Sequence, residues 1–139
     1  MKAMCSKYND NPTQGSRPFD ADRAGFVMGE GAGLLVIETL AHAEARGATP
    51  LAVLSGYGTS ADAYHITAGP DDGSGAAAAI RAALKMAGLS PEAIDHINAH
   101  ATSTPVGDRA EITALRNAFG DALAGIPISA TKSATGHML

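Results

Sequence analysis

An α/β fold, helices layered on a mixed and largely parallel sheet, is predicted by three observations in the 139 residues. Short apolar runs alternate with helical stretches. Glycines stand where three of the helices should stop: Gly47, Gly88 and Gly120. Polar residues gather just past the ends of two apolar runs, the edge at which open α/β sheets hold ligands.

The elements follow in order. Ser6 to Ala24 is rich in Asn, Asp, Pro and Gly, shows no periodicity and reads as a loop. Gly25 to Ile37 is glycine-punctuated and apolar, ending in Leu34-Leu35-Val36-Ile37, the pattern of a strand buried on both faces. Thr39 to Arg46 favours a helix, and Leu51 to Leu54 a second strand. From Tyr57 to Ser74 runs a long polar stretch, a length that in compact domains carries function. Gly75 to Ala87 is predicted helical because Ile80, Leu84 and Ala87 fall at i, i+4 and i+7. Ser90-Pro91-Glu92 restarts a short helix, with serine as cap and proline in the first turn. Ile94 to Ala99 is a brief strand whose end delivers His100 to a loop. Asp108 to Phe119 is a further helix, with Ile112, Leu115 and Phe119 on one face, and Ile126 to Ala130 a last strand that delivers Lys132 and His137 to the following turn.

Composition excludes several classes. A net charge of -4 and a pI near 5.6, with no Lys/Arg run, argue against nucleic acid as a partner. No apolar run approaches the ~20 residues of a membrane span, and Met1-Lys2-Ala3-Met4-Cys5 lacks the apolar core of a signal peptide. A soluble, cytoplasmic protein is expected. With the single cysteine Cys5 there is no internal disulfide and no thiolate metal cluster, and no metal is expected.

Chemistry concentrates in two segments. One is Asn98-Ala99-His100-Ala101-Thr102-Ser103-Thr104-Pro105-Val106-Gly107-Asp108; the other is Thr131-Lys132-Ser133-Ala134-Thr135-Gly136-His137. Two imidazoles and an ammonium among small hydroxyl and glycine residues suit a site that manages negative charge on a carbonyl oxygen. A neutral imidazole has one donor and one acceptor, so a pair can meet an enolate oxygen without a fixed positive charge to trap it. His42, in a charged alanine-rich helix, and His96, between apolar neighbours, fit surface or packing roles; His65 lies in the polar stretch and could line a site. Asp108 and Glu111 are open to acid-base work, but acidic residues in a first turn more often complement the helix dipole, and capping is the favoured reading. Gly29-Glu30-Gly31-Ala32-Gly33 precedes a strand and lacks the order of a dinucleotide loop, so it reads as tight packing. Cys5 sits in a loop-like context with no helix N-terminus to activate it.

These segments resemble the two histidine motifs of the elongating β-ketoacyl-acyl carrier protein synthases. Arg17-Pro18-Phe19-Asp20, the stretch Gly25 to Gly33, and Ser60-Ala61-Asp62-Ala63-Tyr64-His65-Ile66-Thr67 are similar to the same family, nearest its type II branch. The resemblance runs from about Asn9 onward. It implies an incomplete thiolase-like fold, with residues 1–47 ending the N-terminal half and 48–139 beginning the C-terminal half. It also implies decarboxylative Claisen condensation of malonyl-acyl carrier protein with a cysteine-bound acyl chain in fatty acid elongation. His100 and His137 match the histidine pair, Lys132 the lysine that fixes its electrostatics, and Thr102 and Thr104 the threonines that bind the phosphopantetheine arm. Thr67 and Phe26 match positions near that arm and the malonyl pocket.

No permanently bound cofactor is implied, only phosphopantetheine as substrate carrier; the implied partners are acyl carrier protein, malonyl and acyl thioesters, and a second copy in a homodimer. Ala101 replaces the usual glycine after the first histidine, which narrows the backbone angles open to His100. Cys5 does not match the nucleophile motif. The chain is therefore expected to be a piece of a longer enzyme, inactive alone. A polyketide ketosynthase, a non-catalytic chain-length partner subunit and a carrier-protein binding module are the alternatives; retention of His100, Lys132 and His137 argues against the non-catalytic subunit.

Overall fold

A computed structural model describes residues 3–65 and 69–139. The predicted helices form with small changes of boundary: α1 spans Leu40–Ala45, α2 Ser74–Ala87 and α3 Gly107–Phe119. Local signals explain the agreement. The Thr39 hydroxyl accepts from His42 N at α1, and α2 and α3 each end at a glycine with positive φ, 66° at Gly88 and 55° at Gly120. Short 3-10 turns occupy Pro12–Gln14, Pro91–Ala93 and Gly120–Gly125, and α4 is a single turn, Lys132–Thr135, in the segment read as a turn.

Strands are fewer and shorter than expected. β1 (Ile97–Asn98) pairs in parallel with β2 (Ile128–Ser129), in register Ile97 to Ile128 and Asn98 to Ser129. The flanking bonds Ile97 N to Pro127 O (3.0 Å) and Ala99 N to Ser129 O (2.7 Å) extend this ladder by little. The strands predicted at 34–37 and 51–54 do not form, which corrects the reading of Leu34-Leu35-Val36-Ile37 as a buried strand. Those side chains are 73–96% exposed, and Leu51, Val53 and Leu54 are 72–101% exposed. A run apolar on both faces becomes a strand only where neighbouring strands satisfy its backbone and layers cover its faces; the described residues supply neither. His96 is exposed and precedes β1 rather than lying within it.

The core lies where α2 and α3 cover the β1–β2 pair. Leu115, Phe119 and Ile126 are buried at its centre, and Ile80, Leu84, Ile97, Ile112 and Ile128 close around them. The expected face of α3 is thus the one that packs. Burying Leu115 and Phe119 contributes about 1.5–3 kcal/mol each. This small core holds β1 and β2 side by side, so the two chain segments that leave their carboxyl ends emerge together.

Candidate active site

Past β1 the chain runs through His100 to Val106 before entering α3, and two carboxylates at the start of α3 turn back to hold that loop. Asp108, 1% exposed, accepts from Thr102 N (3.1 Å) and Thr104 N (3.2 Å) on Oδ1 and from Phe19 N (2.8 Å) on Oδ2. Arg23 Nε lies 3.7 Å from the same Oδ2. Glu111 takes His100 N and Ala101 N, each at 2.7 Å, one on each oxygen. The favoured capping reading fits Asp108, which lies in the first turn of α3, but both carboxylates also anchor the preceding loop, their oxygens occupied by main-chain donors. Such charge-assisted bonds contribute about 1.5–3 kcal/mol each. The sequence signal was present, since a loop of seven residues leaves N–H groups that something must accept. Ala101 is buried and its φ is negative, so the methyl that replaces glycine meets no backbone penalty.

His137 is fixed from another direction. Its N–H donates to Val27 O (2.7 Å) and its carbonyl accepts from Gly29 N (2.9 Å), a parallel bridge of Met28 with His137. A side chain at Gly29 would strike the Thr135 carbonyl, so this close approach requires glycine. The reading of the 29–33 glycines as tight packing holds at this position. The imidazole of His137 is half-buried, with Phe26 edge-on at 5.5 Å between ring centroids and 80° between planes.

The structure brings the two predicted imidazoles together. His100 and His137 stand 5.6 Å apart, centroid to centroid, at 87°. Burial holds the His137 pKa below the ordinary histidine value, and the nearby His100 and Lys132 charges push it the same way. The ring is neutral at pH 7. Leu139 N donates to His137 Nδ1 at 3.3 Å, which puts the proton of the neutral ring on Nε2. Lys132 opens α4 one turn before His137, half-buried. The arrangement can therefore offer ring N–H donors to an anionic oxygen while burial, with the His100 and Lys132 charges adding to it, disfavours a charge on the second ring.

The two threonines form one unit. Thr102 is buried and its hydroxyl donates to Thr104 Oγ1 at 3.2 Å; that oxygen also accepts from Gly107 N at 3.2 Å. The Thr104 proton remains available to a ligand. Between them Ser103, fully buried, holds φ 72°, a left-handed conformation uncommon outside glycine. Thr67 lies outside the described residues. His42 is on the surface beside Glu38 and Arg46, and His65 is exposed. Cys5 is half-buried, its N–H on Phe26 O at 2.8 Å, and it borders a cavity of about 180 Å³ that includes none of His100, Lys132 or His137. Among the described residues no helix is long and apolar enough to cross a membrane, and no three His, Cys, Asp or Glu side chains cluster as metal ligands would.

Sequence reasoning places Ser16 only in an aperiodic loop and Arg17 only in a segment similar to the family, and assigns neither a role at the site. The Ser16 hydroxyl donates to Lys132 O at 2.5 Å and Arg17 N donates to Ser103 Oγ at 3.1 Å. Nothing in local patterning announces contacts this remote in sequence.

Residues 51–139 match the family described as "Beta-ketoacyl synthase, C-terminal domain" and residues 1–43 its "N-terminal domain". The chain is 54% identical over 138 residues to "3-oxoacyl-[acyl-carrier-protein] synthase 2" of Rhizobium meliloti, covering 99% of the chain and 32% of that protein. It is 51% identical over 140 residues to the mitochondrial 3-oxoacyl-[acyl-carrier-protein] synthase of Arabidopsis thaliana, covering 99% of the chain and 30% of the relative. The chain thus spans about a third of the length of the curated relatives it matches.

Among solved structures, a type II PKS ketosynthase bound to the hexaketide, in complex with its acyl-carrier protein, is similar with a TM-score of 0.94 and 41% identity over 99% of this chain and 34% of that one. A beta-ketoacyl synthase from Burkholderia phymatum gives 0.88 and 45% over 98% and 32%. These ketosynthases have the α/β, thiolase-like fold expected from the sequence.

Proposed function

This chain belongs to the beta-ketoacyl synthase family, and from that premise we propose that it carries the decarboxylating half of a 3-oxoacyl-acyl carrier protein synthase, the half that converts malonyl-acyl carrier protein into a carbon nucleophile. The observation that carries the proposal is the 5.6 Å, near-perpendicular approach of His100 and His137. In the proposed step the bond from the malonyl α-carbon to its carboxylate breaks, carbon dioxide leaves, and the electron pair moves toward the thioester oxygen. His100 and the Nε2–H of His137 donate to that oxygen. Loss of one such preorganised donor lowers a rate by about 10²–10³. The resulting carbanion attacks the carbonyl of a cysteine-bound acyl thioester, forming the new carbon–carbon bond and expelling the cysteine thiolate.

Lys132 adds to burial and to His100 in disfavouring a charge on His137, so that the ring donates without trapping the enolate as an ion pair. Thr104, with Thr102 behind it, hydrogen-bonds the phosphopantetheine arm, and Thr67 and Phe26 border the arm and the malonyl pocket. No residue among the 139 is assigned as nucleophile. Acyl carrier protein as partner, homodimer formation, a cytoplasmic location and a division at residues 47/48 belong to the same proposal. A polyketide ketosynthase is the second reading, favoured by the 0.94 similarity to the hexaketide-bound ketosynthase; product analysis separates linear fatty acyl from polyketide chains.

The test is a graft. This chain, replacing the matching third of the Rhizobium relative, is expected to release labelled carbon dioxide from malonyl-acyl carrier protein. His100→Ala in the graft should lower release about 10²–10³-fold while acylation of the enzyme persists. Release from the variant at the unaltered rate would overturn the proposal.

A further inference from the structure

We infer that Ser16 and Arg17 form a strap that sets the spacing of the two histidine segments, making Ser16 a positioning residue. The inference rests on the reading that His100 and His137 work as a pair.

Each of these neighbours grips a different motif. The Lys132 carbonyl that receives the Ser16 hydroxyl also accepts from Gly136 N at 3.1 Å, the bond that closes α4 immediately before His137. On the other side, Ser103 is held at both ends of its residue: Arg17 N reaches its hydroxyl oxygen at 3.1 Å and Gly25 N its carbonyl at 2.9 Å. A buried serine persists in a left-handed conformation only where its surroundings over-determine it. Ser103 lies three residues after His100, in the loop that Asp108 and Glu111 also fix. Adjacent Cα atoms are ~3.8 Å apart across a trans peptide, so Ser16 and Arg17 cannot drift independently. Movement of α4 relative to the His100 loop must break one grip or the other. The Ser16 contact spans 116 residues and ties the 16–17 segment to α4.

The test uses the 139-residue chain with labelled histidine and reads two things by NMR: the cross-relaxation between the His100 and His137 rings, and the titration of each ring. Ser16→Ala should weaken the inter-ring signal at least twofold and let the His137 titration return toward the ordinary histidine range, while Ser16→Thr, which keeps the hydroxyl, should retain both. A purely structural serine would lower the melting temperature and move neither readout. A folded Ser16→Ala with the full inter-ring signal and unchanged titrations overturns the strap. Should that variant not fold, Ser16→Cys, similar in volume and a weak donor, is read the same way; failure of both beside a folded Ser16→Thr also overturns it, because the hydroxyl would then serve stability alone. An unaltered chain with no inter-ring signal fails the paired-imidazole reading itself, and the strap with it.

Discussion

Asp108→Asn is the most searching perturbation of the loop that carries His100. Asparagine has the same shape, and its Oδ1 can still accept from Thr102 N and Thr104 N. The second oxygen becomes an NH2 group facing Phe19 N at 2.8 Å, so donor meets donor, and the Arg23 guanidinium, 3.7 Å away and hydrogen-bonded to the carbonyls of Thr104, Asp20 and Pro105, loses one nearby negative charge. Asp108 is 1% exposed and the Arg23 side chain 19%, so water cannot take over. Leaving the Phe19 N–H without its acceptor costs about 1–3 kcal/mol, and the lost Asp108–Arg23 attraction adds to it. Urea unfolding followed by circular dichroism measures it, with Asp22→Asn as control. Asp22 is 70% exposed and 3.8 Å from Lys7, so the control should stay within about 0.5 kcal/mol of the parent. An Asp108→Asn chain as stable as the control would refute the anchoring role.

Other outcomes follow from single contacts. Lys132→Met should raise the His137 pKa, because it deletes one of the charges that depress it; burial and His100 keep it below the ordinary value, and NMR titration reads the change. Since His137 titrates lower folded than unfolded, its contribution to stability is present above about pH 6.5 and is lost as pH falls from there toward the folded value, which stability measured across that window checks. Ser103→Ala should destabilise more than Ser103→Gly by about 1 kcal/mol, since both orphan Arg17 N but only glycine escapes the left-handed penalty; urea midpoints give the order. Phe119→Ala, emptying the centre of the core, should cost about 3–5 kcal/mol in the same assay.

What the sequence disclosed and what it withheld divide along the range of the interactions. The helices were legible because their signals are local: apolar spacing in 75–87 and 108–119, and glycines at 88 and 120 whose positive φ ends each one. Sheet pairing is not local. Leu34–Ile37 and Leu51–Leu54 have strand composition but lack neighbours among the described residues, and composition alone cannot supply a ladder. The imidazole pair was legible because both histidines follow the ends of adjacent strands, so the parallel pairing of β1 with β2 carries them to one edge. The anchors were not. Asp108 and Glu111 resemble ordinary first-turn acids until the loop's N–H groups are followed to their acceptors, and Ser16 reveals its role only through a carbonyl 116 residues away.

The central claim is that His100 and His137 act on one developing oxyanion as a unit, and a double-mutant cycle on malonyl decarboxylation in the graft measures that directly. Each single alanine substitution should lower carbon dioxide release by about 10²–10³, and the double substitution should fall little further, as groups acting as a unit do. Two losses that multiply, or a single loss that leaves the rate unchanged, would contradict the account.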